Sequence, residues 1–349
     1  MDTLTVLITG GGAPGIMGTI YSLKQNWDGR KIKTVCVDMK DDVVGKYLCD
    51  SFHRIPGGKD KRFIPTLLDI CEKEHVDVIL PQVTSELLPL STHKKEFYKE
   101  GFSVAISPEN TILIANNKAA LMERAKRLNV PVPEFKEVTT WDALIDFADK
   151  IGYPFAVKPP EGSGMRGFRL VHKNLDKKSA FYNEKPSSSD ITVEELHAIL
   201  GDDFPPLLVM ENLPGEEYTV DLLSDHENVH AVIPRKRLLI RTGITFVGAV
   251  ENNEDIIEYS ERLTKDVGLT HAHGYQFKLD MNGTSKLLES NPRIQGTMVL
   301  STVAGANIIY GAVKVALDEE IPEFNIRWET KLYRYWGGVG VNTEGVKRI

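Results

Sequence analysis

The chain has 349 residues, a length that predicts two or three domains and a core of ordinary size. Apolar residues make up 42% and charged residues 26%, as in typical globular proteins, and no apolar run is long enough to predict a membrane-spanning helix. The net charge of −7 gives no general basic surface for nucleic acid and therefore argues against a nucleic-acid-binding protein.

The first segment predicts a βαβ unit with a glycine-rich turn. A short β-rich apolar run at residues 4–9 is followed by the glycines of residues 10–15, by a helix over 16–25 and by a strand over 33–38. The glycines fit the spacing GxGxxG, and Asp38 ends the second strand, where a ribose-binding acid lies in dinucleotide folds. Glycines also permit a tight strand-to-helix turn without any cofactor, and this alternative stays open.

The alternation of strands and helices continues through the N-terminal third. A helix is predicted over residues 63–74, followed by strands over 75–81 and 101–106. This order indicates a parallel, doubly wound sheet for residues 1–107. Glu86 is expected in a loop beyond the third strand, at the sheet edge where ligands gather, although an acid in a loop is more often simply solvated.

The next segment begins with two predicted helices and includes a polar stretch. Asn117 suits the N-cap of a helix over residues 118–128, and residues 141–151 form a second amphipathic helix. Residues 172–206 are polar and predict an insertion or a long surface segment, with one helix near residues 193–200.

A strand over residues 153–159 carries Lys158 near its end and leads into a glycine-rich loop at 161–168. Such a loop can turn its backbone N–H groups towards phosphate, and its glycines predict a mobile lid. It is not a Walker A loop, because no Gly-Lys-Ser/Thr opens a helix after it. A lone lysine at a strand end is usually a surface residue, but next to this loop Lys158 becomes a candidate phosphate ligand.

Residues 207–221 predict a strand, a turn and a second strand. On the second strand Glu217, Thr219 and Asp221 alternate on one face, which indicates either a wet cleft or an exposed sheet face. Further along, two alternating runs flank Asn-Gly and predict a β-hairpin with a tight turn. The remaining predicted elements are a strand pair over 229–240, a helix over 261–267, the hairpin strands over 275–280 and 287–293, a long apolar helix over 296–316 and a last strand over 332–336.

The hairpin carries an unusual set of polar side chains. Glu289 and Asn291 are two residues apart on one strand and therefore share a face, which Gln276 on the partner strand can reach if the register allows. Arg293 follows on the same side, near the end of the strand. Oxygen ligands suit Mg²⁺, and a guanidinium suits phosphate. A solvated hairpin with incidental charges is the alternative.

The order of these motifs resembles the ATP-grasp superfamily, most closely its carbamoyl-phosphate synthase large-subunit-like branch. The resemblance is strong over residues 108–320 and rests on Val157-Lys158-Pro159 with the glycine-rich loop, Met210-Glu211 through Asp221, Tyr275-Gln276-Phe277 and Glu289-Ser290-Asn291-Pro292-Arg293. It implies an α/β and α+β fold. A Rossmann-like (pre-ATP-grasp) domain over residues 1–107 would precede a two-subdomain ATP-grasp fold, divided into residues 108–210 and 211–349.

The resemblance also implies roles for individual residues. Arg293 would meet the γ-phosphate or an acyl-phosphate and, with Lys158, form the catalytic pair. The nucleotide would be bound by Lys118 and Lys158 at the phosphates, by Gly162, Ser163 and Gly164 in the loop, by Glu211 and the Leu213 backbone at the adenine and by Glu217 at the ribose. The metal ligands would be Gln276, Glu289 and Asn291.

The implied activity is ATP-dependent ligation of a carboxylate to an amine or another nucleophile through an acyl-phosphate. The chain has about one ATP-grasp unit and no glutamine-amidase domain, whereas the synthetase large subunit has two such units, so carbamoyl-phosphate synthesis is not expected. Two other functions stay open. One is an NAD(P)-dependent oxidoreductase that uses the N-terminal glycine motif, and the other is a nucleotide-binding regulator without turnover.

The expected cofactors are ATP and Mg²⁺, with Mn²⁺ as an alternative metal. The expected partners are a small carboxylate and an amine, without nucleic acid or membrane, and a homodimer is the commonest prior for the assembly. The three cysteines lack metal-ligand spacing, and no basic segment followed by an apolar one begins the chain. We therefore expect reduced thiols in a cytoplasmic protein.

Overall fold

The computed structural model describes residues 3–162, 166–183, 189–241, 243–343 and 345–348. Contacts divide the chain into two compact units. Unit 1 comprises Met1–Ala115, Tyr218–Gln276 and Ser290–Ile349, and unit 2 comprises Asn116–Glu217 and Phe277–Glu289. The predicted boundaries at residues 107 and 210 stay a prediction. Within the described ranges, the helices are all too short or too polar to cross a membrane.

Unit 1 begins with a five-stranded sheet whose strands are all parallel, which confirms the predicted doubly wound arrangement. The third strand along the chain is only four residues long and was missed, because it is too short to show a clear period. The elements are β1 (Leu4–Thr9), α1 (Ile16–Lys24), β2 (Ile32–Asp38), β3 (Ser51–Arg54), α2 (Phe63–Glu74), β4 (Val78–Leu80), α3 (Thr84–Thr92), α4 (Lys94–Lys99), β5 (Ser103–Val104) and α5 (Glu109–Asn116), and the strand order is β3-β2-β1-β4-β5.

Unit 2 contains a second five-stranded sheet, which is mainly antiparallel. The predicted polar insertion at 172–206 contains more regular structure than expected, because two further strands and a further helix lie in it besides the predicted helix. The elements are α6 (Lys118–Arg127), β6 (Phe135–Thr140), α7 (Trp141–Ile151), β7 (Phe155–Lys158), β8 (Arg169–His172), α8 (Lys177–Asn183), β9 (Asp190–Thr192), α9 (Val193–Leu200) and β10 (Asp203–Glu211), in the strand order β6-β10-β7-β8-β9.

The last third of the chain forms a six-stranded sheet with its helices and a terminal hairpin. The predicted hairpin around Asn-Gly is present, and residues 277–289 at its tip belong to unit 2. The elements are β11 (Glu217–Ser224), β12 (Val229–Arg241), β13 (Ile244–Val250), α10 (Glu254–Val267), β14 (His271–Leu279), β15 (Ser285–Asn291), α11 (Val299–Val303), α12 (Ile308–Ala316), β16 (Lys331–Tyr333), β17 (Val339–Asn342) and β18 (Gly345–Arg348), with the six-stranded order β15-β14-β11-β12-β13-β16.

Two predictions for this region were wrong in detail. Residues 229–240 form one long strand, β12, and not a strand pair. The apolar stretch 296–316 forms two helices, because Gly305 adopts a φ of +104°, and the Asn307 side chain then caps α12 by accepting from the Tyr310 N–H. The hairpin loop covers residues 280–284, and Asp280 Oδ1 accepts from the N–H of both Asn282 and Thr284 within it.

Helix α1 of unit 1 packs closely against the turn and the helix that follow β15. A Cβ atom at Gly15 would lie 2.8 Å from Gly296 Cα, and one at Gly18 would lie 2.9 Å from Val299 Cβ. Both distances are shorter than van der Waals contact, so a larger residue would push α1 away. These two glycines therefore have a packing role within unit 1.

Candidate active site

Unit 2 places Lys118 at the first position of α6, as predicted. The helix begins there because the Asn117 side chain accepts from the Ala120 N–H. Lys118 is only 7% exposed, and its Nζ donates to the Gly162 carbonyl at 2.9 Å. Glu289 Oε2 lies 3.7 Å from the same nitrogen. Lys118 and Glu289, predicted from separate motifs, are therefore neighbours in unit 2.

Lys158 lies at the end of β7 and belongs to the same group of charges. Its Nζ is 3.4 Å from the Leu288 carbonyl, which is a long hydrogen bond. Burial lowers the pKa of Lys158 to about 8; Glu289 and Glu217 oppose this shift, whereas Lys118 adds to it. We call Lys118, Lys158, Glu217 and Glu289 the lysine cluster. Two ammonium groups and two carboxylates thus interact electrostatically within one unit.

Glu211 ends β10, and each of its two carboxylate oxygens accepts a hydrogen bond. Oε1 accepts from Lys286 Nζ at 2.7 Å, and Oε2 accepts from the Glu134 N–H at 2.8 Å. Lys286 Nζ also lies 3.4 Å from Asp280 Oδ2. Lys286 was not predicted as a site residue. The sequence indicated only that it lies on a hairpin strand close to the acidic Asp280. Leu213, the predicted adenine contact, is buried at 3% exposure.

Unit 2 also contains a small apolar cluster on the strands that bear these polar residues. Ala156, Leu208 and Met210 are buried in it, and Phe168 and Leu288 pack against it while staying partly accessible. A partly accessible apolar surface of this kind suits a flat heterocycle. Sequence reasoning missed this cluster, because alternating apolar residues on a strand indicate burial without indicating a ligand.

Unit 1 fixes the guanidinium of Arg293. Its Nε donates to Thr84 Oγ1 at 3.0 Å, one terminal nitrogen donates to Asn291 Oδ1 at 3.1 Å, and the other donates to the Ile294 carbonyl at 3.0 Å. The side chain is only partly buried. Thr84, at the start of α3, was not singled out from the sequence, because a contact across 209 residues leaves no local pattern.

The three predicted metal ligands lie on the hairpin strands. Gln276 is partly exposed between the fully buried Tyr275 and Phe277 of β14, as expected for a side chain on the opposite face. Glu289 and Asn291 are two residues apart on β15, and both are partly exposed. In the described part of the chain, no cluster of three His, Cys, Asp or Glu side chains could hold a metal. A magnesium site here would therefore depend on this mixed set of carboxylate and amide oxygens, which stays a prediction.

The glycine-rich loop is described only in part. Gly162 has a φ of +126° with open space around its Cα, and its carbonyl accepts from Lys118. Ser163 and Gly164, predicted to contact phosphate, lie outside the described residues. The mobile lid therefore stays a prediction.

The N-terminal glycine motif has internal partners. Asp38 Oδ2 accepts from the Gly12 N–H at 2.8 Å, and Asp38 Oδ1 accepts from the Lys40 N–H at 2.8 Å. Asp38 is only 9% exposed. The carboxylate that would bind a ribose in a dinucleotide fold here holds the glycine loop against β2. Together with the packing of Gly15 on Gly296, this gives the motif a structural explanation.

Two predictions about polar residues in unit 1 were wrong. Glu86 lies in the first turn of α3 and not in a loop, and it is 6% exposed, so it is not solvated. Burial raises the pKa of Glu86 to about 7. Thr219 and Asp221 do not line a wet cleft, since they are 5% and 0% exposed.

Asp221 is instead the centre of what we call the buried polar cluster of unit 1. Its oxygens lie 2.6 Å from Arg235 Nε and 2.7 Å from an Arg235 terminal nitrogen. Ser301 donates to Asp221 Oδ2 at 2.6 Å, and Gln295 Nε2 donates to Oδ1 at 3.1 Å. Arg235 also donates to Thr297 Oγ1 at 2.7 Å. These contacts pair the two charged groups within the unit, although Arg235 Nε, close to Asp221 Oδ2, does not have the geometry of a hydrogen bond.

Three family models match successive parts of the chain. The N-terminal domain of PylC-like proteins matches residues 6–105, and the ATP-binding domain of the carbamoyl-phosphate synthase L chain matches residues 117–195. A model described as ATP-grasp in the biosynthetic pathway with Ter operon matches residues 203–332.

Curated relatives include carbamoyl phosphate synthase large chains. The protein of Clostridium acetobutylicum is 24% identical over 287 residues, which are 78% of this chain and 25% of the relative. That of Clostridium perfringens strain SM101 is 23% identical over 270 residues, which are 74% of this chain and 23% of the relative. The chain thus spans about a quarter of the length of these relatives.

Solved structures with a similar fold include two nucleotide complexes. A biotin carboxylase complex with β-γ-ATP from Campylobacter jejuni has a TM-score of 0.68 at 20% identity and covers 92% of this chain and 73% of its own. The N5-carboxyaminoimidazole synthetase of Staphylococcus aureus with ADP has a TM-score of 0.67 at 17% identity, covering 93% and 80%. Residues 117–195 and 203–332 therefore match models of ATP-grasp domains, and the fold of the chain is similar to that of these two enzymes.

Proposed function

We propose that this protein is an ATP-dependent ligase that joins a small-molecule carboxylate to an amine through an acyl-phosphate intermediate. The observation that carries this proposal is the lysine cluster. Two lysines, one of them with a lowered pKa, lie with two carboxylates in a single unit. Phosphoryl transfer needs positioning and charge neutralisation more than covalent help from the protein, and this cluster can supply both.

In the proposed reaction a carboxylate oxygen of the substrate attacks the γ-phosphorus of ATP, and the bond to ADP breaks. The amine then attacks the acyl carbon, phosphate leaves, and the amine proton passes to solvent. Lys118 and Lys158 would neutralise charge on the phosphates. Arg293, held by Thr84 and Asn291, would present its guanidinium to the transferred group.

The donor set also fits a bound magnesium ion. Glu289 Oε2 is 3.7 Å from Lys118 Nζ, beyond hydrogen-bonding distance, and its side chain is 26% exposed. A hard anionic oxygen in this position, with Asn291 two residues on, suits the ion. When bound, Mg²⁺ would offset charge on the phosphate oxygens.

The proposal is tested by measuring phosphate release and thermal stability with ATP, ADP and NAD, each with and without Mg²⁺. A ligand that binds only the native state raises the melting temperature, so Mg-ATP should raise it and NAD should not. Glu289→Gln keeps the shape of the side chain but removes the anionic ligand, and Mg²⁺-dependent ATP turnover should fall by about 100-fold or more.

Glu137→Gln is the matched control, because Glu137 is an exposed acid on β6 of the same unit. It should keep the activity of the unchanged protein. Full turnover in Glu289→Gln would overturn the metal assignment. NAD binding that is lost in Asp38→Ala would favour an oxidoreductase instead.

A further inference from the structure

A cavity of about 600 Å³ lies within unit 1 and contains no residue of the proposed active site. Its walls come from α4 and the strand after it, from the turn between β11 and β12, from the start of β14 and from the segment that follows α12. A volume of about 300–1,000 Å³ is typical of small-molecule sites. The cavity is therefore large enough for a metabolite-sized ligand.

One part of the cavity is cationic and polar. Lys94 lines it, and its Nζ donates one hydrogen bond to the Ile106 carbonyl at 2.8 Å, so two of its three donors stay available for other partners. Burial lowers the pKa of Lys94, which marks the ammonium group as partly desolvated.

His271 lies beside this ammonium group. Its Nδ1 pairs with Thr270 Oγ1 at 2.9 Å, while Nε2 has no hydrogen-bond partner among the described residues. The residue is 4% exposed and holds a φ of +62°, a left-handed conformation that an L residue with a side chain rarely adopts. Such backbone strain often occurs where a side chain must face a ligand.

The rest of the cavity surface is acidic at the mouth and apolar along the remaining wall. Its mouth is acidic, with Glu227, Asp318 and Glu320 exposed around it. Asp318 also interacts electrostatically with Lys94, so the two signs of charge are close together. The remaining wall is apolar and is formed by Phe102, Val104, Val315, Ala316 and Ile321.

We propose that this cavity binds a free α-amino acid with an apolar side chain. Its carboxylate would pair with Lys94 and His271, its ammonium group with the acidic mouth, and its side chain with the apolar wall. A simple anion would meet the acids of the mouth, and a simple amine would meet Lys94. A zwitterion with an apolar side chain matches all three surfaces at once.

The test uses the whole chain and three probes that share one side chain. L-leucine, 4-methylpentanoate, which lacks the ammonium group, and 3-methylbutylamine, which lacks the carboxylate, are each titrated by calorimetry. L-leucine should bind at least about tenfold more tightly than either analogue, because each analogue forfeits one charge-assisted contact. Equal binding of the three probes, or no binding of L-leucine at millimolar concentration, would overturn the proposal.

The variant Lys94→Met tests whether L-leucine binds in this cavity. Lys99→Met is the matched control, because Lys99 ends the same helix, is exposed and does not line the cavity. Lys94→Met should weaken L-leucine binding by about tenfold or more, and Lys99→Met should leave it unchanged. Equal weakening in both variants would contradict the assignment.

A second comparison separates this site from the proposed active site, where an amino acid could bind as a substrate. Glu289→Gln should keep L-leucine binding in the absence of ATP, because Glu289 does not line the cavity. Lys94→Met should keep the basal rate of Mg-ATP turnover. Loss of L-leucine binding in Glu289→Gln with retention in Lys94→Met would assign the amino acid to the active site and refute the cavity.

Discussion

The buried polar cluster of unit 1 and the lysine cluster of unit 2 both bring groups of opposite charge together, but they differ in how closely those charges are paired. Asp221 and Arg235 are at most 1% exposed and are joined by contacts of 2.6 and 2.7 Å. Lys158, by contrast, is 3.4 Å from its carbonyl neighbour, and Lys118, which donates to the Gly162 carbonyl, is 3.7 Å from the carboxylate of Glu289.

The difference separates a structural role from a functional one. Buried charges with short contacts to complementary groups inside the protein stabilise the fold only as long as both partners are present. An ammonium group such as that of Lys158, with a long contact and a lowered pKa, still gains from an added anion. We therefore expect substitutions in the first cluster to change the free energy of unfolding and substitutions in the second to change catalysis.

The largest expected effect is that of Asp221→Asn on stability. The variant keeps the shape of the side chain but leaves the Arg235 guanidinium buried without its counter-charge, which should lower the free energy of unfolding by about 3–5 kcal/mol. Urea denaturation measures this loss. The double variant Asp221→Asn with Arg235→Met should recover part of it, and a loss below about 1 kcal/mol in the single variant would show that the cluster does not stabilise unit 1.

Local elements of both clusters could be predicted from the sequence, but the clusters themselves could not. The helix beginning at Lys118 follows from the capping preference of Asn117, and α2 and α7 follow from their apolar periodicity. Alternation on β11 correctly put Thr219 and Asp221 on one face, yet it could not show that Arg235, Gln295 and Ser301 would cover that face.

The metal and phosphate residues were predicted mainly from the family resemblance and less from the pattern. Gln276, Glu289 and Asn291 fit strand alternation, but many exposed hairpins show the same pattern. Thr84 and Lys286 were missed because their contacts join distant parts of the chain. Long-range pairs of this kind depend on the fold and leave no periodic signal.

Glu86 lies between the two clusters in character, because it is buried like Asp221 but incompletely paired like Lys158. It is an acid of unit 1 whose Oε2 lacks a hydrogen-bond partner in the described structure. Its pKa is about 7 in the fold, against an ordinary value of 4.5. A raised pKa means that the native state keeps its proton longer than the unfolded state. The contribution of Glu86 to the free energy of unfolding is therefore fully present below pH 4.5. It is lost as the pH rises towards 7, by up to about 3 kcal/mol.

Glu86→Gln should abolish this part of the pH dependence. The free energy of unfolding, measured by denaturation between pH 5 and 8, should decline less steeply in the variant than in the unchanged protein. Glu100→Gln is the control, because Glu100 is an exposed acid in the same unit. Identical slopes for all three proteins would mean that Glu86 ionises in the fold at its ordinary pKa.

Substitutions of Lys158 test whether the lysine cluster acts in catalysis. Its ammonium form is needed at the phosphates, and its pKa is lowered to about 8, so kcat/KM for ATP should fall as the pH rises above about 8. Lys158→Arg should remove this decline, because a guanidinium keeps its charge throughout the range. Lys158→Met should lower kcat/KM by about 100-fold, or about 2.7 kcal/mol, whereas Lys150→Met, at an exposed position of unit 2, should not. A decline that persists in Lys158→Arg would place the titrating group elsewhere.

The smallest expected effect is that of Thr84→Val on the reaction rate. This variant tests whether the hydrogen bond between Thr84 and Arg293 in unit 1 also contributes to catalysis. Thr84 Oγ1 accepts from Arg293 Nε, so its loss should release one of the contacts that orient the guanidinium. A hydrogen bond of this kind contributes about 1 kcal/mol, and kcat should fall about fivefold with little change in KM for ATP. Thr84→Ser keeps the hydroxyl group and should restore most of the rate. An equal loss in both variants, or a change in the melting temperature without a change in kcat, would mean that Thr84 supports only the start of α3 and does not position Arg293.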